Sequence, residues 1–96
     1  MFIINLTYKV ELDKVDEHLE AHIAYLKQQY AQSNFIASGR KIPRTGGIIL
    51  SKLKDRQELL EILAQDPFNK HGLADYELIE FVPSMTSEAF EVLKEG

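Results

Sequence analysis

The first eight residues alternate between apolar and mixed positions, which is the period-two pattern of a β-strand. One face of the strand is wholly apolar and consists of Phe2, Ile4, Leu6 and Tyr8. The other face is mixed and carries Ile3, Asn5 and Thr7. We therefore predict a strand over residues 1–8, with two faces of different character.

Apolar residues then recur at helical spacing. Asp13 is placed to cap the N-terminus of a helix that we predict over about residues 14–32. The apolar positions of this helix are Val15, Leu19, Ile23, Leu26 and Tyr30. Their spacing predicts one inward-facing stripe.

Shorter elements follow, separated by turn residues. They are a strand over residues 35–38, a loop over 39–47, a strand over 48–53, a helix from Asp55 to about Gln65, a helical turn from Asp66 to Gly72, a strand over 76–82 and an amphipathic C-terminal helix over about 85–94. Asp55 and Glu58 form a D-x-x-E capping pattern. Pro67 cannot extend the preceding helix but fits the first turn of the next one. The buried side of the helix after Asp55 is predicted to hold Leu59, Leu60, Ile62 and Leu63.

This order of elements is typical of an α+β protein with the ferredoxin-like βαββαβ arrangement, in which two helices cover one face of a four-stranded antiparallel sheet. We expect residues 1–96 to form a single domain. The second face of the sheet is left uncovered, and neither face of the first strand is polar enough for water. Packing of this face on a second copy would cover it, so we expect a homodimer that forms a dimeric α+β barrel.

Composition argues against several classes of function. The 96 residues contain no cysteine, which excludes disulfides and thiolate sites and suits a cytosolic, cytoplasmic protein. No apolar stretch approaches the roughly 20 residues of a membrane span. A net charge of −4 argues against nucleic-acid binding, although Arg40, Lys41 and Arg44 form a local basic cluster. We expect neither membrane nor nucleic acid among the partners.

His22 lies on the predicted inward stripe, so its imidazole should be partly removed from water and hydrogen-bonded. It is either a satisfied core histidine or a general acid or base oriented by a carboxylate. We nominate Asp66 as that carboxylate, although an Asp before Pro67 is also an ordinary helix cap. A carboxylate could cap the helix with one oxygen and meet an imidazole with the other, but the sequence leaves their contact open.

The segment from Ser38 to Arg44 combines Ser38 and Gly39 with the basic cluster, a composition that suits a carboxylate or phosphate. A solvated hairpin-like connection is the alternative. His18 and His22 share a helix face, but a third ligand would have to come from the distant His71, so we expect no metal site. No cofactor motif is present, and we expect no cofactor.

The sequence resembles the YCII-related domain family, a YciI-like group within the dimeric α+β barrel superfamily. The resemblance extends from Met1 to about Pro83 and rests on A-H-x-x-x-L around His22, A-S-G at Ala37 to Gly39 and A-x-D-P-F at Ala64 to Phe68. It implies a homodimer in which His22 and Asp66 form a dyad beside a pocket walled by Ser38 and Gly39. Related chains often have Arg-Pro where this chain has Leu19 and Glu20, so any anion-binding role of that arginine is absent or has moved to Arg40 or Arg44.

Two functions follow from the residues and the resemblance. The first is a cofactor-independent enzyme of the isomerase or lyase type, including dehydrochlorinases, in which the His22–Asp66 dyad moves protons. Its small anionic or phenolic ligand would be bound by Ser38, Gly39, Arg40 and Arg44. The second is a non-catalytic metabolite-binding or interaction module in which His22 and Asp66 are a structural pair.

Overall fold

The helices and strands can be read from a computed structural model, which describes residues 1–95. In chain order they are β1 (Phe2–Tyr8), α1 (Leu12–Glu17), α2 (Leu19–Ala31), β2 (Ala37–Arg40), β3 (Gly46–Ser51), α3 (Arg56–Leu63), α4 (Pro67–Lys70), β4 (Ala74–Glu80) and a 3₁₀ helix (Glu88–Leu93). Gly96, the last residue of the predicted domain, lies outside the described residues. No helix within residues 1–95 has the length and apolar character needed to span a bilayer.

The four strands form one sheet in the order β2-β3-β1-β4. Each neighbouring pair is antiparallel, and Ile4 in the central strand β1 lies opposite Ile49 of β3 and Leu78 of β4. β1 and β2 therefore run parallel with β3 between them, which is the split βαβ unit. The predicted ferredoxin-like α+β arrangement is confirmed.

The wholly apolar face of β1 is the face covered by helices. Phe2, Ile4 and Leu6 are buried there in one cluster with Tyr25 of α2 and Leu59 of α3. Burial of such side chains contributes about 1.5–3 kcal/mol each to the free energy of unfolding. The face carrying Ile3, Asn5 and Thr7 is the uncovered one.

The helix predicted over residues 14–32 is wrong in one respect, because it is two helices. They meet at His18, whose backbone (φ −113°, ψ 5°) is not helical. The His18 ring stacks on His71 at the end of α4, with ring centroids 4.1 Å apart. Asp13 is also not the N-cap: α1 begins after Glu11, and Asp13 lies in the first turn.

The buried stripe of α2 differs from the predicted one. Its buried residues are His22, Tyr25 and Gln29, whereas Ile23 is 42% exposed. Tyr30, predicted to face inward, is exposed as well. The α2 helix is rotated so that Ile23 faces a cleft rather than the core. Leu60 of α3, also predicted to be buried, is 42% exposed because only Leu59, Ile62 and Leu63 of that helix face the core.

Strand ends also differ from the prediction. β2 begins at Ala37, so Gly39 and Arg40 belong to an edge strand rather than to the predicted loop, which shortens to residues 41–45. Gly46 begins β3, where a Cβ atom would overlap the carbonyl oxygen of Leu6. A glycine is required here because β1 and β3 approach closely at the Thr7–Gly46 pair.

The C-terminal segment does not form the predicted helix over residues 85–94. It contains a 3₁₀ helix with a kink at Phe90 and no buried residue. A short amphipathic helix gains stability mainly from burying its apolar face, and here no such burial occurs. Polar contacts hold the segment instead: Lys52 Nζ donates to the Val92 carbonyl oxygen at 3.1 Å, and the Glu95 carboxylate lies 3.6 Å from the Met1 amino group.

Candidate functional site

A cleft of about 480 Å³ opens between α2 and the β2–β3 side of the helix-covered sheet face. Its apolar walls come from β1, α2, β3 and α4, and its polar side comes from His22, β2 and the β2–β3 loop. The lining residues are Leu6, Tyr8, Leu19, His22, Ile23, Leu26, Ser38, Gly39, Arg40, Arg44, Gly47, Ile48, Ile49 and Phe68. All of the predicted site residues except Asp66 therefore line one cleft.

Strand register explains how Ser38 and Arg40 come to the cleft. Ser38 pairs with Ile49 and Arg40 pairs with Gly47, while those β3 residues pair with Ile4 and Leu6 of β1. Directly paired residues of an antiparallel sheet share a face. Ser38 and Arg40 consequently lie on the helix-covered face, at the edge where the helices leave it open.

His22 and Asp66 meet at the back of this cleft. The Nδ1 atom of His22 lies 2.7 Å from Oδ1 of Asp66. The Asp66 side chain is fully buried, and His22 is only 9% exposed. A carboxylate can only accept, so Nδ1 carries the proton of this hydrogen bond, and in the neutral ring the lone pair lies on Nε2.

Asp66 accepts three hydrogen bonds. Oδ1 accepts from the Phe68 backbone N–H at 3.0 Å as well as from His22, and Oδ2 accepts from the Tyr76 hydroxyl at 2.6 Å. Asp66 is thus the N-cap of α4, as Pro67 indicated, but the cap and the imidazole share one oxygen rather than using one each. The second oxygen is occupied by Tyr76.

Two tyrosines surround the carboxylate. Burial, and then the negative charge of Asp66, raise the pKa of Tyr76 and of Tyr25 above the ordinary value. Both hydroxyls therefore stay protonated and act as donors, Tyr76 to Asp66 and Tyr25 to the Ile62 carbonyl oxygen at 2.8 Å.

The His22 ring is fixed on its faces as well as at Nδ1. It stacks on Phe68 with ring centroids 3.9 Å apart and planes 5° apart. Within residues 1–95, Nε2 has no hydrogen-bond partner and is not among the buried unsatisfied atoms. The arrangement can present the Nε2 lone pair to a molecule in the cleft.

The two arginines of the cleft differ in whether they form an ion pair. Arg44 Nη2 donates to Asp16 Oδ1 at 2.6 Å, and the guanidinium lies 6.0 Å from the centroid of the Tyr8 ring. The hydrogen bond to Asp16 raises the pKa of Arg44 above its ordinary value. Arg40 forms no ion pair with any described residue. Lys41 points to the uncovered face, where Nζ donates to Asn5 Oδ1 at 3.0 Å.

A comparison with families of known proteins matches the YCII-related domain to residues 1–82. The chain belongs to the YCII-related domain family. Among solved structures, it is similar to the 5-chloro-2-hydroxyhydroquinone dehydrochlorinase of Burkholderia phenoliruptrix in complex with 2,5-dihydroxybenzoquinone. The TM-score is 0.74 at 20% sequence identity, over 85% of this chain and 93% of that one. At this identity the similarity establishes the shared fold. No curated protein matches the chain.

Sequence reasoning missed two polar contacts of this YCII-related domain. In the prediction Tyr76 is only the first residue of the strand over 76–82, and Tyr30 is only one of the apolar positions of the helix. Tyr30 is hydrogen-bonded through its hydroxyl to Ser38 Oγ, which ties β2 to α2. No local pattern reports either contact, because each joins separate elements.

Among the residues described in this YCII-related domain, no three His, Asp or Glu side chains are grouped as metal ligands. The His18 ring stacks on His71, while the His22 ring stacks on Phe68.

Proposed function

We propose that this YCII-related domain is a small-molecule enzyme in which His22 is the general base and Asp66 orients it. The observation that carries the proposal is the pairing of a fully buried carboxylate with Nδ1, which leaves Nε2 free beside the cleft. A carboxylate on one ring nitrogen fixes the tautomer that a histidine base requires.

The ligand that fits this cleft is a small, mostly flat molecule with an apolar body and an anionic or phenolic group. About 480 Å³ is within the range of small-molecule sites, and Leu19, Ile23 and Leu26 supply an apolar wall. Ile23 is 42% exposed and faces this cleft. A bound ring would cover it.

Arg40 is our choice for the anion-binding side chain. Its guanidinium is not used by an ion pair in the described chain, whereas that of Arg44 is held by Asp16. A free guanidinium can bind a carboxylate or phenolate with two parallel hydrogen bonds. Arg44 would then shape the cleft wall, while Ser38 and Gly39 form its floor.

The reaction class is proton transfer. His22 Nε2 would accept a proton from an O–H or C–H group of the ligand, and the electron pair of that bond would stay on the ligand. If that electron pair takes up a proton at another atom of the ligand, the reaction is an isomerisation. If it forms a double bond and a leaving group departs with its own bonding electrons, the reaction is an elimination. The imidazolium then releases its proton to water. General base catalysis of this kind contributes about 10²–10⁴-fold in rate.

The similar solved structure suggests the first compounds to test. That protein is a dehydrochlorinase and its structure holds a dihydroxybenzoquinone. A hydroxylated, chlorinated six-membered ring satisfies the size, the apolar wall and the phenolic group that this cleft favours. Chloride leaves such a ring in two proton transfers: an O–H proton taken by the base is returned to the ring carbon that bears chlorine, and loss of a second O–H proton then expels chloride with its bonding electron pair.

The test combines binding and turnover. Titration with 2,5-dihydroxybenzoquinone measures binding, and chloride release from 5-chloro-2-hydroxyhydroquinone measures reaction. His22→Asn keeps an N–H donor for Asp66 and removes Nε2, so it should still bind but lose about 10²–10⁴-fold in turnover. Arg40→Gln should weaken binding about tenfold or more, since a charge-assisted hydrogen bond contributes about 1.5–3 kcal/mol. Arg44→Gln is the matched control and should weaken binding less.

Each alternative result has a defined meaning. Binding without chloride release in the wild-type chain would favour the non-catalytic metabolite-binding module, in which Asp66 serves only as a helix cap and structural partner. Equal turnover of wild type and His22→Asn would exclude His22 as the base.

We also propose that two copies form a homodimer through the uncovered sheet face. By strand register this face carries Ile3, Leu50 and Ile79, and Ile79 is 47% exposed. Toward one end, Asn5 Nδ2 donates to Glu77 Oε1 at 3.2 Å, so the face is apolar at one end and polar at the other. A mixed face of this kind is suited to an isologous contact with its own copy.

A further inference from the structure

The His22–Asp66 pair has a third member, Tyr76. Its hydroxyl lies 2.6 Å from Oδ2 of Asp66, and the His22 Nδ1 atom lies 2.7 Å from Oδ1 of the same carboxylate. The three side chains come from β4, the start of α4 and α2. Tyr76 does not line the cleft, so any effect it has on a bound ligand must pass through Asp66 and His22.

Tyr76 is the sole donor to Oδ2 among the described residues. Oδ1 retains the Phe68 N–H even if another donor is lost, because that hydrogen bond is the cap of α4. Oδ2 has no second donor among the described residues, and the side chain of Asp66 is fully buried in the folded chain. Loss of the Tyr76 hydroxyl would leave a buried carboxylate oxygen uncompensated.

An uncompensated carboxylate acts on its neighbour. Without the Tyr76 hydroxyl, more negative charge stays on the Asp66 carboxylate. An anion at hydrogen-bond distance from the His22 ring favours the protonated imidazolium. A base must be unprotonated when its ligand arrives. A carboxylate that shares its charge with a hydroxyl donor attracts a ring proton less strongly than an unshared one.

The other titratable and charged groups around the pair come from every element packed against it. Tyr25 comes from α2 with His22, Tyr8 from β1, Arg40 from β2 and Arg44 from the β2–β3 loop. From α3, the Ile62 carbonyl oxygen accepts from Tyr25. None of these groups donates a hydrogen bond to Asp66. Tyr76 differs from them because its hydroxyl does.

We propose that Tyr76 is a positioning residue that shares the charge of Asp66 and so keeps the His22 imidazole unprotonated for its role in the cleft. The inference rests on the proposed function of His22 as a base. It concerns the ring itself, however, and can be measured without any substrate.

The experiment is an NMR titration of the His22 ring in the wild-type chain and in Tyr76→Phe, with His22→Asn used to assign the signal. We expect the midpoint of the ring's titration in Tyr76→Phe to move to higher pH by about half to one unit, which is part of the strength of a hydrogen bond to a charged group. Tyr25→Phe is the matched control. It removes a buried hydroxyl that donates to the Ile62 carbonyl oxygen and not to Asp66, and it should leave the midpoint in place.

A second measurement changes the donor without removing it. Fluorinated tyrosine, incorporated in the Tyr25→Phe background, is a stronger hydrogen-bond donor and should move the midpoint to lower pH. An unchanged midpoint in both experiments, or an equal shift in Tyr25→Phe, would show that Tyr76 is only a structural residue. A shift in Tyr76→Phe without any turnover would support this inference and count against the proposed enzyme.

Discussion

At the scale of single residues, Asp66 has two structural roles that the sequence presents as alternatives. It caps α4 and it holds His22, and both contacts use Oδ1. The capping role follows from the Asp-Pro step alone. The second role exists because the start of α4 packs against α2, a contact between residues 44 positions apart.

Asp66→Asn tests the combined role. With its oxygen at the Oδ1 position, the amide keeps the Phe68 N–H and His22 contacts, and its NH₂ group stands against the Tyr76 hydroxyl where Oδ2 was. We expect a loss of about 1–3 kcal/mol in the free energy of unfolding, because the Tyr76 hydroxyl loses its acceptor and the pair loses its negative charge. A neutral amide stabilises an imidazolium less than a carboxylate does, so any turnover that uses His22 as a base should fall by up to about 10⁴-fold, the loss caused by the same change in serine proteases.

Asp55→Asn is the control, measured in the same urea unfolding series. Asp55 caps α3 by accepting from the Gln57 N–H at 2.9 Å and has no imidazole partner. Asparagine is an equivalent N-cap, so the change should be a few tenths of a kcal/mol. Equal losses for the two variants would mean that the contacts of Asp66 beyond the cap contribute nothing.

The buried tyrosines predict how stability depends on alkaline pH. Burial, and then Asp66, raise the pKa of Tyr25 and Tyr76 in the folded chain, whereas unfolded tyrosines ionise near pH 10. Above about pH 10 the unfolded state therefore binds fewer protons than the folded state, and stability falls as the pH rises. Below about pH 10 the two tyrosines contribute fully to the stability of the folded chain.

The slope should be at most about 1.4 kcal/mol per pH unit for each tyrosine. Urea unfolding between about pH 8 and about pH 11 measures it. Tyr25→Phe should have a shallower slope than the wild type, and an identical slope would show that Tyr25 ionises alike in both states.

At the scale of elements, the rotation of α2 separates the predicted stripe from the observed one. Periodicity identifies a helix with an apolar side, but it treats the core and a cleft as the same environment. Ile23 and Leu26 satisfy the pattern by lining the cleft, while Gln29 takes a buried position that the pattern did not predict. His22 is buried, as its place on the stripe predicted. The difference is informative, because apolar side chains left facing a cleft are available to a ligand.

The approach of β1 and β3 provides an element-level prediction. Gly46→Ala would place a Cβ atom on the Leu6 carbonyl oxygen, where neither backbone can move freely. We expect a loss of about 3 kcal/mol or more, at the upper end of overpacking costs. Gly39→Ala, with open space around its Cβ position, should change stability by less than about 0.5 kcal/mol. Thermal unfolding of the two variants measures both effects, and a mild effect of Gly46→Ala would refute the close approach.

At the scale of the whole molecule, one face of the sheet is covered by helices and the other is not. The strand register places Ile3 and Ile79 side by side on the uncovered face. A single copy would leave these side chains in water, which is the physical reason for expecting a partner.

Ile79→Arg should separate the proposed dimer into monomers, because a charge would be buried without a partner between the sheets. Leu60→Arg is the matched control: Leu60 is exposed to a similar extent, 42% against 47%, but lies on the helical side. Sedimentation of the wild type and the Leu60 variant should give twice the mass of the chain. A monomeric wild type, or a dimeric Ile79→Arg variant, would refute the proposed interface.

The sequence by itself determined the order of the elements, the apolar face of β1, the caps at Asp55 and Asp66 and the ferredoxin-like arrangement. These features depend on local periodicity and on short-range hydrogen bonds, which neighbouring residues carry. The prediction was wrong where an element depends on packing against other elements, as at the break at His18 and in the C-terminal segment.

The tertiary structure alone decided that His22 meets Asp66, that Tyr76 completes the trio and that, within residues 1–95, Arg44 is ion-paired and Arg40 is not. Each of these facts joins residues from different elements, and the distances follow from how α2, α4 and β4 pack on one another. No local pattern contains that packing. The site is for this reason a property of the fold, built from residues whose types the sequence supplies.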